Sequence, residues 1–280
     1  MSTYLGEVTG AFPREHLCKA RRRSAKHQVT NVARYVVARQ ATVAKKLRGV
    51  FDEWAARFAK RARRVYGEAS KAVDAELVER ILRQLDLKGF SVDLIEELTS
   101  DLKRAFRRAG IAAIAQAGFA RTEDALEHLD KKALEYAEKR AAELVGRGKD
   151  EKWNITETTR DRLRETIAGA VEEGVSSQEL ADRIEGSFPF SEGRANTIAR
   201  TELAFAHVQG NVEGWRSTGE VAKKRWVLGD LHDVPDICDE LADAGEVDFD
   251  EDFGDGIDFP PAHPNCVCDV IPILKDKDED

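Results

Sequence analysis

No stretch of the chain approaches about 18 consecutive apolar residues, which excludes a membrane-spanning helix. Residues 1–10 have no apolar run, so no secretory signal is expected. Four cysteines in 280 residues are too few for a disulfide scaffold, and folding in a reducing compartment is the expectation. The sequence also lacks G-x-x-x-x-G-K-[ST], G-x-S-x-G and H-E-x-x-H, which argues against the familiar nucleotide-hydrolysing and hydrolase active sites. What is present is ample for a core: hydrophobic residues make up 42% and charged residues 34%, which rules out a wholly disordered or fibrous chain. The length suits one or two domains.

The net charge of −8 hides an asymmetry. Met1 to Arg64 holds 16 Lys/Arg against 4 Asp/Glu, whereas Val227 to Asp280 holds 2 Lys against 18 Asp/Glu. A basic start suggests a polyanionic partner or an acidic protein surface. The simpler reading is that the two ends neutralise each other.

Residues 1–30 show no clear periodicity and read as a basic arm with the cluster Arg21, Arg22, Arg23 and Lys26. From Val32 to Tyr66, apolar residues recur every three or four positions, predicting an amphipathic helix whose other face carries Lys45, Lys46, Arg61 and Arg64, with Arg63 beside them. A second helix is predicted over 69–87 with Lys88-Gly89 as its stop, and a third, capped by Ser91, running to about Ala120. A fourth covers about 123–145 and ends at Gly146-Arg147-Gly148, the expected boundary between a helical region, 31–148, and a C-terminal domain, 149–274. Asn154 with Glu157, and Ser176 with Glu179, have capping-box spacing. Ser191 opens a long helix to about Ser217. Lys223–Leu228 and Val267–Leu274 look like strands around an acidic loop, and 275–280 is a polar tail. The fold class expected is mainly α, an N-terminal helical arm and bundle followed by a helical region that ends in a small β-rich Cys/His module.

Three groups of residues invite a chemical reading. Cys238, His263, Cys266 and Cys268 form a possible four-ligand zinc set, since thiolate and imidazole suit that ion. A packed thiol cluster and a disulfide are the alternatives. Asp248-x-Asp250-x-Asp252 resembles a calcium loop, but the glycine falls one place late and the twelfth position is Phe259, so an EF-hand is rejected. Arg200-Thr201-Glu202 lies within the long helix, where Glu202 falls near the Ile198–Phe205 stripe and reads as half buried. An acid/base role for Glu202 needs a second catalytic group, and none stands at a recognisable spacing.

Two of these segments together resemble a known family. Arg194-Ala-Asn-Thr-Ile-Ala-Arg-Thr-Glu202 resembles the helix motif of phage head morphogenesis proteins. Phe259-Pro260-Pro261-Ala-His263-Pro264-Asn265-Cys266-Val-Cys268 resembles the P-P-x-H-P-N-C-R-C signature of phage Mu F-like minor head proteins. The resemblance covers about Thr156 to Leu274. Where that family has C-x2-C ahead of the acidic stretch, this chain has Pro235 and Cys238, and Val267 replaces the arginine between the last two cysteines.

The resemblance implies a non-enzymatic, low-copy structural protein of a tailed-phage head. It would dock on the portal, and reach the major capsid protein, during head assembly, DNA packaging or DNA delivery. Arg200, Thr201, Glu202, Pro261, His263, Pro264 and Asn265 would then hold the module together. The basic residues would meet the portal or packaged double-stranded DNA, and contact with an anionic membrane on ejection ranks last. The location implied is the virion interior near the portal vertex, after assembly in the host cytoplasm. The competing reading is a metal-dependent nuclease or nucleotide-modifying enzyme acting through Glu202 or His263. Some members of the family carry ADP-ribosyltransferase domains. No room for one is expected after Leu274, and the C-terminal region has no Glu-x-Glu pair.

Overall fold

The computed structural model describes residues 31–69, 75–146, 154–229, 232 and 235–275. The clusters at Arg21–Arg23 and Lys26, and the end of the polar tail, lie outside the described residues. Eight helices are described: α1 (Asn31–Gly67), α2 (Ala75–Gln84), α3 (Leu87–Gln116), α4 (Glu123–Leu144), α5 (Ile155–Glu173), α6 (Ser177–Glu185), α7 (Glu192–Thr218) and α8 (Ile237–Asp243). Three strands, β1 (Val221–Val227), β2 (Glu246–Asp248) and β3 (Asp269–Leu274), form an antiparallel sheet in the order β2-β1-β3. The mainly helical fold with a small sheet is the one the sequence predicts. No described helix is long and apolar enough to cross a membrane.

The chain forms two compact units, and each draws on segments from both sides of 147–153. One unit comprises 41–100 and 138–199. Its core is a cluster of aromatic rings, with Phe51, Phe58, Phe90 and Phe190 spaced 6.0–6.4 Å between centroids and Trp54 5.4 Å from Phe58. Such edge-on pairs add to the burial of large apolar surfaces. The Trp54 indole N–H is satisfied by Asp93 Oδ2 at 2.8 Å.

Here the helix boundaries near residue 88 differ from the expectation. Lys88-Gly89 does not stop a helix, and Ser91 does not start one. α2 ends at Gln84, and α3 begins at Leu87, where Asp86 Oδ1 accepts from Gly89 N at 2.9 Å in the geometry of an N-cap. Gly89 sits inside α3 because a Cβ there would lie 2.6 Å from the Trp54 ring. Ser91 is buried one turn on, donating to Leu87 O at 2.7 Å and sharing a hydrogen bond with Thr156. The capping residues of α5 and α6 are as the spacing predicts: Asn154 accepts from Glu157 N and Ser176 from Glu179 N.

The other unit comprises, among the described residues, those within 31–40, 101–137 and 200–275. Phe106, Ile114, Leu129 and Ala133 form a core patch between α3 and α4. α7 crosses α3 at very short range. A Cβ on Gly210 would overlap the Phe106 carbonyl, and one on Gly214 would lie 2.5 Å from Gly110 O and 2.8 Å from Ala113 Cβ. From Thr201 to Trp215 no residue of α7 is fully exposed, and Phe205, Gln209 and Glu213, four apart, form its one half-buried stripe.

The region read as an acidic loop contains α8 and β2, both missed by the sequence reading. Asp236 caps α8 in a reciprocal capping box with Asp239. β2 pairs with β1 over only three residues, Lys223↔Asp248 to Arg225↔Glu246.

Candidate functional site

α7 carries the first motif. Arg194, near its start, is buried and donates to Thr159 Oγ1 at 2.8 Å, Pro189 O at 3.1 Å and Ile155 O at 3.1 Å. Burial, helped by the charge of Arg162, pulls its pKa down to about 10, so it remains a cation at neutral pH and ties together three segments of its unit. Arg200 is half-buried, while Thr201 and Glu202 are buried, Glu202 with 2% exposure. The half-buried position expected for Glu202 is therefore corrected. The half-buried stripe of this helix runs through Phe205, Gln209 and Glu213, and Glu202 lies off it.

The second motif folds as a turn. Cys266 N donates to His263 O at 3.2 Å, and Asn265 has φ 65. Proline at the second position and a left-handed residue at the third are what a type II turn requires. Asn tolerates that conformation better than most side chains. The Pro260-Pro261 bond just ahead is cis, and Pro261 is buried. The turn is fastened to α7 because Asn265 N donates to Thr201 Oγ1 at 3.0 Å. Two motifs 64 residues apart thus meet through one hydrogen bond.

Beyond the turn lie the cysteines. Cys238, on α8, and Cys266 and Cys268, which follow the turn, are buried free thiols. Cys238 Sγ and Cys266 Sγ are 3.6 Å apart. The donor atoms of Cys238, His263 and Cys266 all lie within 4.8 Å of one another. Cys268 stands outside that trio but hydrogen-bonds to both of the other thiols. Those bonds, from Cys238 and then Cys266, hold the Cys268 thiol well below the ordinary thiol range, against the effect of burial. Hydrogen bonds to Cys266 and Cys268, with burial, push Cys238 up.

His263 Nδ1–H donates to Pro264 O at 2.8 Å. Its Nε2 is buried without a hydrogen bond, although Asp236 Oδ2 stands 3.0 Å away. A further group, His232, Asp236 and Asp239, adjoins the cysteines and was not read from the sequence. Burial opposes a charge on His232. The hydrogen bond to Asp239 at 2.9 Å and the charges of Cys268, Asp236 and Asp239 outweigh that and raise its pKa. The capping spacing of Asp236 and Asp239 was the signal available for this group.

Lys224, on β1, is another residue the sequence reading passed over. Its side chain has no exposed surface; Nζ donates to Asp258 O at 3.0 Å and lies 4.0 Å from the centre of the Phe259 ring. Nearby, Arg216 reaches Asp250 at 3.5 Å, and Lys223 reaches Asp248 at 3.8 Å. The acidic segment therefore folds back on cations of its own unit. Of the basic positions in the described residues, Lys45, Arg61, Arg63 and Arg64 are exposed, and Lys46 pairs with Glu97 at 3.0 Å. Arg61 also bonds to Gln84.

Residues 161–271 match the family model described as Phage Mu protein F like protein. This stretch is phage Mu F-like. It begins inside α5 and ends inside β3, so it contains α7, the turn and all three described cysteines. No curated protein and no solved structure is significantly similar to the chain.

Proposed function

We propose that this chain is a minor structural protein of a tailed-phage head, docking on the portal through its Mu F-like region and acting in head assembly, DNA packaging or DNA delivery. The observation that carries the reading is the fastening of the two motifs of the matched stretch, Asn265 N to Thr201 Oγ1. The motif residues build a scaffold here: Thr201 holds a turn, Glu202 is buried, and Arg194 binds backbone carbonyls.

The exposed basic face of α1, with Arg57, Lys60, Arg61, Arg63 and Arg64 close together in sequence, supports a contact with packaged DNA. Guanidinium and ammonium groups at such a face neutralise phosphates without reading bases, giving sequence-independent, salt-sensitive binding.

The test is capture of the portal protein by the tagged full chain at low and high salt, alongside retention of double-stranded DNA. Stoichiometric portal capture that survives high salt is expected. DNA retention should fall steeply with salt and be weakened by the combined substitutions Arg61→Glu, Arg63→Glu and Arg64→Glu, with portal capture unchanged. Absence of portal capture at either salt overturns the docking role. DNA cleavage in the presence of divalent metal, lost in Glu202→Gln, would replace the structural reading with the nuclease.

A further inference from the structure

The Cys/His cluster has the donor chemistry of a metal site, and three of its donors, from Cys238, His263 and Cys266, lie within 4.8 Å of one another. The Cys238 and Cys266 thiols are free, and their sulfurs are 3.6 Å apart, close enough to share one ion. A disulfide between them would leave His263 and the remaining thiol without a role.

His263 supplies the observation that points to a ligand. The Pro264 carbonyl can only accept, so the proton of a neutral ring resides on Nδ1. Nε2 is then the ring nitrogen left to face an ion: it is buried and makes no hydrogen bond, although Asp236 Oδ2 stands 3.0 Å away, and the ring offers a donor atom within 4.8 Å of the Cys238 and Cys266 sulfurs. A metal-binding imidazole has this arrangement, one nitrogen fixed on a backbone carbonyl and the other free for the ion.

The surrounding fold supplies a reason for a clamp. Residues 249–268 contain no helix or strand, β2 is three residues long and α8 seven. The cysteines join the end of that irregular segment to α8. A loop-rich element with so little regular structure is the usual setting for a structural ion.

We propose that Cys238, His263 and Cys266 bind one zinc ion, with Cys268 as the fourth ligand. Sulfur and nitrogen donors select zinc over calcium or magnesium, and a full set of four protein ligands marks a structural rather than a catalytic ion. Each cysteine binds as its thiolate, a protonated thiol giving its S–H proton to solvent as the S–Zn bond forms. His263 Nε2 contributes its lone pair with no change of protonation, and nothing is oxidised or reduced. Asp236 and Asp239 remain outside the ligand set, Asp236 holding the start of α8 and Asp239 orienting His232.

The test begins with the full chain, produced in zinc-replete medium and purified without a metal-binding tag. Native mass spectrometry and elemental analysis should find one zinc per chain, released on titration with a mercurial. Cobalt(II) put in its place should show thiolate-to-metal charge-transfer bands and the intense visible bands of a tetrahedral site. His263→Gln and Cys266→Ser should lose stoichiometric metal, and Cys268→Ser should weaken the charge-transfer bands, while Asp236→Asn retains them. The wild-type measurement stands even if a variant fails to fold. Substoichiometric zinc with no charge-transfer bands overturns the site, as does a Cys238–Cys266 disulfide in the purified chain. Loss of metal in Asp236→Asn but not in Cys268→Ser overturns Cys268 as the fourth ligand.

Discussion

Acidification from pH 7 to pH 5 should weaken the fold through one side chain, His207. The ring is buried on α7, 5.1 Å from the Tyr35 ring, with Asn211 Nδ2 3.4 Å from its Nδ1. Burial, and then the charge of Arg108, pulls its pKa from 6.5 down to about 3. Between those values the unfolded chain takes up a proton that the folded chain refuses, so stability falls as pH drops below 6.5. Each pH unit in that window costs about 1.4 kcal/mol, and the partial titration near pH 6.5 brings the total from pH 7 to pH 5 to about 2 kcal/mol. His207→Gln keeps a polar group beside Asn211 and removes the titration. The assay is urea unfolding followed by far-UV circular dichroism at pH 7, 6 and 5. The wild type should lose about 2 kcal/mol more than the variant across that range, whatever their difference at pH 7. Every other titratable group is the same in both proteins and cancels. Parallel profiles for the two would refute the reasoning, because they would mean that His207 is protonated, or hydrated, in the folded state.

The crossing of α7 and α3 is equally exposed to test. Gly210→Ala drives a methyl group into the Phe106 carbonyl, and since backbone cannot move aside as a side chain does, a loss of about 3 kcal/mol is expected by thermal unfolding. An unchanged melting temperature would mean that the helices lie further apart than described. Thr201→Val removes the acceptor for Asn265 N and should cost about 1–2 kcal/mol, whereas Thr201→Ser should restore most of it. A loss in Thr201→Ser with none in Thr201→Val would show that the methyl group matters and the hydrogen bond does not.

Much of this fold was legible because helices announce themselves through period and caps. The repeat from Val32 to Phe58 gave α1, and Asn154 and Ser176 marked their helices by side chains that accept a backbone N–H. Gly89 misled because glycine ends helices more often than it sits within them. Its reason for being inside α3 is the Trp54 ring, 35 residues earlier in sequence, and no local rule carries that information. α8 was hidden by its acidic composition, though Asp236 and Asp239 had the spacing of a cap. Within the site, the Cys/His set could be named from residue types alone. The partners of that set could not: the bond from Asn265 to Thr201, and the place of Asp236 beside His263, depend on α7 and α8 arriving together. Lys224 was the hardest to foresee. A lysine in an alternating strand reads as an outward residue, and only the return of Phe259 and Asp258 over it encloses its amine.

That enclosure makes Lys224 a clock for the module. An acylating reagent cannot reach an amine with no exposed surface, so labelling must wait until the segment around Asp258 and Phe259 lifts away. The labelling rate at Lys224, set against that of exposed Lys223 one residue before it, measures how often that segment lifts from the sheet. The chain therefore carries its own gauge of local breathing beside the cysteine cluster, readable by peptide mass without adding a probe.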